Sequence, residues 1–487
     1  MARVLVLGAG ISGHTAALVL RRKLAREHEV IVVTPNRNWN WIPSNIWVGV
    51  GLMRKEDVTF DLKPIYQRVG IRYVQARALE LHPHGDGNAS DPFVTVEHTA
   101  PEEAGRREQV GYDYLINATG PRLNFGATPG LGPGEGGNSL SVCTYDHASQ
   151  TADALRRSIE RMRQGERLTF VVGTGHGLCT CEGAAFEYVF NLEFEIRAAG
   201  VRDQARVVFL TNENELGDFG VDGVQIQKGG YVIPSHLFAE SLFVERGVEW
   251  ITGAHVQRVD PGLVAYETLD GENHTLPFDF AMLLPPFTGV GLKAFDRAGG
   301  DITGQVFMPN AFMKVDADYT PKAYEDWRAA DWPTTYQSPL FTNVFAVGIA
   351  FAPPHALSRP RKSKNGTPIA PAPPRTGMPS GIMGRAVAMS IVDMIVRGAK
   401  EPTHKASLGE MGAACVASAG AGLWRGSAVA MTMYPVVPDF ERFPVNGRDL
   451  RYTMGEIGLA GHWIKRILHH LFIYKAKARP GWWMIPE

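Results

Sequence analysis

The chain has 487 residues, too many for one ordinary hydrophobic core, so two or three domains are expected. Its 45% hydrophobic and 20% charged residues are the balance of a globular protein and exclude a disordered one. A net charge of −1 excludes a general nucleic-acid binder, which would be basic.

In chain order, residues 3–7 are a short apolar run, 8–13 a glycine turn and 14–26 a helical pattern. Residues 30–33 read as a second buried strand, which completes a βαβ opening. The apolar start lacks a charged leader and a cleavage site, so it is a first strand and not a signal peptide. A further strand is predicted at 114–118, closed by Thr119-Gly120-Pro121. A second βα unit opens at 168–172 and continues through Gly173-Thr174-Gly175 into a helix over 183–199. Strands follow at 206–210, 250–252 and 280–284, and another at 344–347 ends in Gly348. A Pro-rich, basic loop over 352–375 leads to a helix over 381–397. The rest holds a small strand region around Cys415 and an amphipathic helix. The expected fold is α/β: two tandem Rossmann-like domains with a C-terminal amphipathic appendage, the first domain completed by chain that returns after the second. No run of about 18 apolar residues is present, so no helix is expected to span a bilayer.

The strongest local signal is Gly8-Ala9-Gly10-Ile11-Ser12-Gly13, placed between a strand and a helix. Its glycines permit a tight turn and let a pyrophosphate approach the helix N-terminus. At the end of the second strand Thr34 stands where an Asp or Glu usually holds a ribose. Tyr114-Leu115-Ile116-Asn117-Ala118-Thr119-Gly120 resembles the "ATG" segment of two-dinucleotide-binding-domain flavoproteins, and Asn343-Val344-Phe345-Ala346-Val347-Gly348 their late "FAxG" strand. In that order, around a second Rossmann-like unit, they point to FAD rather than NAD alone. The chain has four cysteines, Cys143, Cys179, Cys181 and Cys415, too few for a disulfide scaffold and without the spacing of a zinc site. Cys179 and Cys181 follow Gly173-Thr174-Gly175-His176-Gly177, where a nicotinamide nucleotide would be gripped. A thiolate at such a helix start is stabilised by unpaired backbone N–H groups.

With these segments in view, the chain resembles the sulfide:quinone oxidoreductase family over essentially its full length. Residues 40–51, Asn-Trp-Ile-Pro-Ser-Asn-Ile-Trp-Val-Gly-Val-Gly, match that family's "FVPSNPWVGVG" stretch. The segments around Cys143, Cys181 and Cys415 are similar to its three cysteine segments. Arg375-Thr376-Gly377-Met378 resembles its "KTGYM" loop, and His462-Trp463-Ile464-Lys465 its C-terminal helix start. The chain departs from the pattern at Cys179, which is extra, and at Asp218, where many members have a His. It departs also at Arg375, which replaces a Lys, and in the longer loop 352–375.

The resemblance implies an FAD-dependent enzyme that oxidises sulfide to zero-valent sulfur or polysulfide and passes two electrons to a membrane quinone, ubiquinone or menaquinone. Cys181 and Cys415 are the implied redox pair, with Cys179 left as the alternative partner. Cys143 is the more dispensable cysteine, and His147 a proton relay or a structural histidine. FAD is expected against Gly8, Ala9, Gly10, Ile11, Ser12, Gly13, Thr34, Pro35, Ile42, Ser44, Asn45, Arg77, Ala78, Ala118, Thr119, Gly120, Gly348, Arg375, Gly377 and Lys465, and no metal is expected. The expected boundaries are 1–150 and 311–400 for the two parts of the FAD-binding domain and 151–310 for a degenerate nucleotide-binding domain. Residues 401–487 form the quinone- and membrane-associated region. Ile464, Ile467, Leu468, Leu471 and Phe472 make one apolar stripe, and no acidic residue lies between Ile457 and Pro486, where Lys465, Arg466, Lys475, Lys477 and Arg479 are basic. With Trp482 and Trp483 this is the pattern of a peripheral, monotopic helix on the cell membrane. A homo-oligomer stays open. The rival readings are a type II NADH:quinone oxidoreductase, which should keep an intact second nucleotide site, and a non-catalytic flavin-binding redox sensor. A pyridine-nucleotide disulfide reductase would need a CxxxxC in the first domain, and none exists there.

Overall fold

A computed structural model describes residues 1–180, 183–420, 424 and 426–487. Strand β1 (Arg3–Leu7) leads to helix α1 (Ile11–Lys23) and strand β2 (Glu29–Thr34). Val4, Leu5, Val6 and Leu7 are fully buried, as parallel strands covered on both faces must be. The helix begins at Ile11, earlier than the hydrophobic period indicated, because the glycine turn supplies its first residues. Gly10 is the N-cap, and the His14 N–H donates to Gly10 O at 2.9 Å.

The chain then forms a short helix α2 (Asn45–Gly49) and strands β3 (Arg72–His82), β4 (Phe93–His98), β5 (Arg107–Gly111) and β6 (Tyr114–Asn117). The antiparallel pair β4 and β5 escaped the sequence reading, since half-exposed strands alternate in polarity and carry no continuous apolar run. Helix α3 (Tyr145–Arg163) precedes the second unit: β7 (Leu168–Thr174), α4 (Gly183–Ala198), β8 (Ala205–Leu210), β9 (Glu249–Ile251) and β10 (Phe280–Leu284). These four strands form a parallel sheet in the order β9-β8-β7-β10.

After this unit the chain returns to the first sheet. Strand β11 (Val344–Ala346) pairs parallel with β6, Val344 opposite Leu115, giving the order β11-β6-β1-β2-β3-β4-β5. Helix α5 (Gly377–Arg397) lies across α1, and a Cβ at Gly384 would fall on the Ser12 carbonyl. It is long and apolar enough to cross a membrane by length and composition, yet 67% of its most apolar window is buried, as befits a core helix of the first domain. It includes Arg385 and Asp393, so it is not an unbroken apolar run.

The chain ends in β12 (Ala413–Ala419), β13 (Ser427–Met433), β14 (Met454–Gly458) and helix α6 (Leu459–Ala476). Their sheet has five strands, because the hairpin Gln225–Lys228 and Tyr231–Pro234 adds two from the middle of the chain, Gln227 opposite Met454. The C-terminal region is therefore knitted into the rest of the molecule.

Candidate active site

The site follows from what fills, or leaves open, each glycine turn. At the first turn Gly8 has φ +93°, and a Cβ there would fall on the Ala118 carbonyl. A Cβ at Gly13 would fall on the Gly8 carbonyl. Both glycines let α1 pack against strands β1 and β6. Gly10 differs: a Cβ there would meet nothing within 4 Å. That open side, at the uncapped start of α1, is what a pyrophosphate approach requires. Around it lie Ala118, Thr119 and Gly120, with Thr119 Oγ1 donating to Asn117 Oδ1 at 2.8 Å and nothing within 4 Å of the Cβ position at Gly120. Gly348 abuts Ser12, Gly377 abuts Ile11, and Thr34 closes β2 in a buried position. The turns expected to grip a dinucleotide thus converge on one open cradle.

Other expected cofactor residues are more committed. Ser44 and Asn45 are each 1% exposed: Ser44 Oγ is hydrogen-bonded to His469 Nδ1 at 2.8 Å, and Asn45 exchanges amide bonds with Asn40 at 2.9 and 3.0 Å. Pro35 O accepts from Thr99, Ile42 is exposed, and Arg77 is exposed on β3 opposite Glu97, beside half-buried Ala78. Arg375 donates to Phe351 O at 3.1 Å and lies 5.0 and 5.1 Å from the ring centres of Phe312 and Phe351. Burial pushes its pKa down to about 10.

The cysteines separate sharply. Cys415 sits on β12 opposite Met431, and its Sγ lies 3.6 Å from where a Cβ on Gly183 would be. The sulfur therefore faces the N-terminal end of α4, two residues beyond Cys181 in sequence. Cys181 itself lies outside the described residues. Cys143 is half-buried just before α3, its pKa pushed up to about 11 by burial, which the Ser141 hydroxyl only partly offsets. Cys179 is fully buried and its thiol donates to Leu284 O at 3.2 Å, which ties it to the wall of the second sheet. His147 lies in the first turn of α3, edge-on to Phe125 at 5.7 Å, and its buried Nδ1 has no hydrogen-bond partner among the described residues.

Beside Cys415 is a buried network that the sequence did not single out. Glu187, on α4, accepts from Lys465 Nζ in a short ion pair and from both the N–H and the hydroxyl of Ser418 at 3.1 Å. Lys465 also donates to Val416 O at 3.2 Å and lies 5.3 Å from the Trp47 ring centre, while Trp47 Nε1 donates to Ser418 at 3.1 Å. Lys465 is thus held at the cysteine strand. Burial raises the Cys415 pKa, the Glu187 carboxylate raises it further, and the Lys465 ammonium lowers it. Four elements, α2, α4, β12 and α6, meet at the Glu187–Ser418–Lys465 network beside this thiol. The one available signal was spacing: Glu187 lies one helical turn from Gly183, on the same helix as Tyr188, whose hydroxyl donates to Gly49 O at 3.2 Å.

The tail is divided. Ile464, Ile467 and Leu471 are exposed on α6 with Trp483 and Met484, as a surface-lying helix requires. Leu468 is half-buried, Phe472 stacks on Trp41 at 5.0 Å and Trp482 is buried. Ala476 O accepts from His14 Nε2 at 2.7 Å, and Lys475 pairs with Glu487 at 2.8 Å. The final turns of the chain are therefore also core of the first domain.

No family model matches the chain. Sulfide-quinone reductase of Aquifex aeolicus (strain VF5) is 27% identical over 478 residues, 97% of this chain and 91% of that protein. The X-ray structure of sulfide:quinone oxidoreductase from Aquifex aeolicus superposes with a TM-score of 0.74, at 27% identity, over 98% of this chain and 92% of that one. The structure of NDH2 from Plasmodium falciparum in complex with NADH has a TM-score of 0.63 at 12% identity, over 99% and 97% of the two chains, a likeness of fold alone.

Proposed function

We propose that the chain is a sulfide:quinone oxidoreductase, which oxidises hydrosulfide at a cysteine pair beside a flavin and delivers two electrons to a membrane quinone. The observation that carries this reading is the placement of the Cys415 sulfur against the start of α4, immediately after Cys181. The cofactor is FAD, held by Gly8, Gly10, Gly13, Ala118, Thr119, Gly120, Gly348 and Gly377. When bound, it supplies a two-electron acceptor for the cysteine side and a donor for the quinone.

The chain's own residues account for the sulfur chemistry. In the oxidised pair Cys181 and Cys415 share a sulfur–sulfur bond. Hydrosulfide attacks one sulfur, forming a persulfide, and the other leaves as a thiolate with the bonding electron pair. Over a turnover the sulfide sulfur loses two electrons and ends as zero-valent sulfur, while the quinone gains two electrons and two protons. A thiol has an ordinary pKa near 8.5, and burial works against the thiolate. The start of α4 and the Lys465 ammonium work for it, but burial and Glu187 outweigh Lys465 and hold the resting Cys415 thiol above its ordinary pKa. The apolar surface Ile464, Ile467, Leu471, Trp483 and Met484 rests on the membrane from which the quinone arrives.

The test is anaerobic stopped-flow of flavin-loaded serine variants. Cys415→Ser and Cys181→Ser should each lose sulfide-driven flavin reduction by about 10²-fold or more with flavin content unchanged. Cys143→Ser and Cys179→Ser should retain most of it. A Cys415→Ser enzyme reduced at the parental rate would overturn the reading.

A further inference from the structure

The second βα unit has the architecture of a nicotinamide-nucleotide site, and something in this chain already occupies it. We infer that the loop 352–375 is a built-in strap that fills the second glycine turn and excludes nicotinamide dinucleotides from the enzyme. This goes beyond the proposed function and does not depend on which reductant the cysteines take.

A dinucleotide site needs glycines whose missing Cβ leaves room for a ligand, and free backbone N–H groups to receive its phosphates. Here both are consumed. A Cβ at Gly177 would meet Pro368 O at 2.6 Å and His255 Nδ1 at 2.8 Å, so the strap and the strand Ala254–Asp260 fill the space. The amides of Gly175, Gly177, Leu178 and Cys179 donate to Leu284 O, His255 Nδ1, His176 Nδ1 and His176 O, at 2.8 to 3.2 Å. The strap runs along the turn as an added strand. Ala370 N–H donates to Gly177 O and Ala372 N–H to Cys179 O, both at 2.8 Å, and Thr180 bridges to Ala372. The position after β8 that would hold a ribose is likewise spent. Asn212 Nδ2 donates to Gly177 O at 3.2 Å, and the buried Glu213 carboxyl accepts from the Phe219 N–H at 2.8 Å.

The strap is fastened at both ends. Its middle forms a hairpin, Arg361–Lys362 against Pro368–Ile369, with Arg361 opposite Ile369. The hairpin turn converges on Glu267, which is 3% exposed and accepts from Ser363 in a short bond, from Thr367 at 2.7 Å and from Asn365 at 3.2 Å. Burial alone would raise that carboxyl. The three donors outweigh it, and its pKa lies below the ordinary value. Nearer the start, the Ser358 hydroxyl donates to Asp218 in a short bond, and Asp222 N–H donates to Ser358 at 3.1 Å. Two departures from the family pattern, Asp218 and the longer loop, are thus bonded to each other.

The experiment uses the flavin-loaded full chain and NADH as probe. In one variant residues 361–369 are replaced by a four-residue Gly/Ser linker, and in a second Glu267→Gln weakens the fastening. Titration followed by nucleotide fluorescence should show no saturable NADH binding to the parent chain. The linker variant should bind at least about ten-fold more tightly, because apparent affinity scales with the open fraction. Its sulfide reactivity, read separately, should persist. In E267Q, hydrogen exchange at the Ala370 and Ala372 amides should accelerate about ten-fold or more, a readout that stands if the linker variant fails to load flavin. A flavin-loaded linker variant that binds NADH no better than the parent would overturn the inference. So would a parent chain that binds NADH equally well, or unchanged exchange in E267Q.

Discussion

The two glycine turns of this chain occupy equivalent positions in two copies of one βα unit, and the fold uses them in opposite ways. At the first, Gly10 faces open space and the start of α1 is left for a ligand. At the second, Gly177 faces Pro368 and His255, while the start of α4 faces the sulfur of Cys415. The helix end that would stabilise a phosphate is given over to a cysteine sulfur, and the room for a nucleotide is given over to chain. A motif reports which backbone can approach a ligand. It does not report whether the rest of the chain has taken the place.

Side chains added to the first turn should have the largest effect. Gly8→Val and Gly13→Val would drive a Cβ into backbone carbonyls and should leave little folded protein in a thermal melt. Gly10→Val has room for its Cβ, so it should melt within a few degrees of the flavin-free parent and yet be colourless. A yellow Gly10→Val protein would mean that the open cradle is not where the flavin sits.

Acid should act on the same domain. His14 on α1 accepts from Tyr66 at 2.8 Å and donates to Ala476 O at 2.7 Å, and burial pushes its pKa down to about 4 despite the backbone bond. His469, bonded to Ser44, is likewise held at about 4 by burial. Unfolded histidines take up protons near pH 6.5 while these folded ones do not, so stability is fully present above that pH. It falls as pH drops from about 6.5 to 4, by up to roughly 3 kcal/mol for His14. Denaturant melts across that window should show the loss, and His14→Gln should flatten it. An unchanged slope in that variant would remove His14 from the account. Because Ala476 anchors α1, truncation from residue 473 should also cost flavin, not membrane contact alone.

Legibility followed the same division. The buried parallel strands, both glycine turns and the late β11 strand were readable, because continuous apolar runs and glycines are local signals. The antiparallel β4 and β5 were not, nor was the sheet that joins the hairpin 225–234 to β14, since such pairing depends on register across distant segments. At the site, Cys415 was readable through resemblance. Glu187 and Ser418 were not, because a buried carboxylate on an apolar helix declares itself only when Lys465 arrives from the far end of the chain. Asp218 looked like an isolated departure until its bond to Ser358 placed it on the strap.

Glu187 raises the Cys415 pKa and Lys465 lowers it, so their variants should move the thiol in opposite directions. In Glu187→Gln the pH profile of Cys415 alkylation, followed by peptide mass spectrometry, should shift to lower pH. In Lys465→Met it should shift to higher pH. Parallel shifts in both would show that the pair acts only by holding β12 in place.

The most direct test is anaerobic bleaching of the flavin-loaded chain by sulfide and, separately, by NADH. Sulfide should bleach the flavin completely at stoichiometric amounts, and NADH should leave it oxidised even in large excess. Rapid bleaching by NADH with none by sulfide would contradict the account.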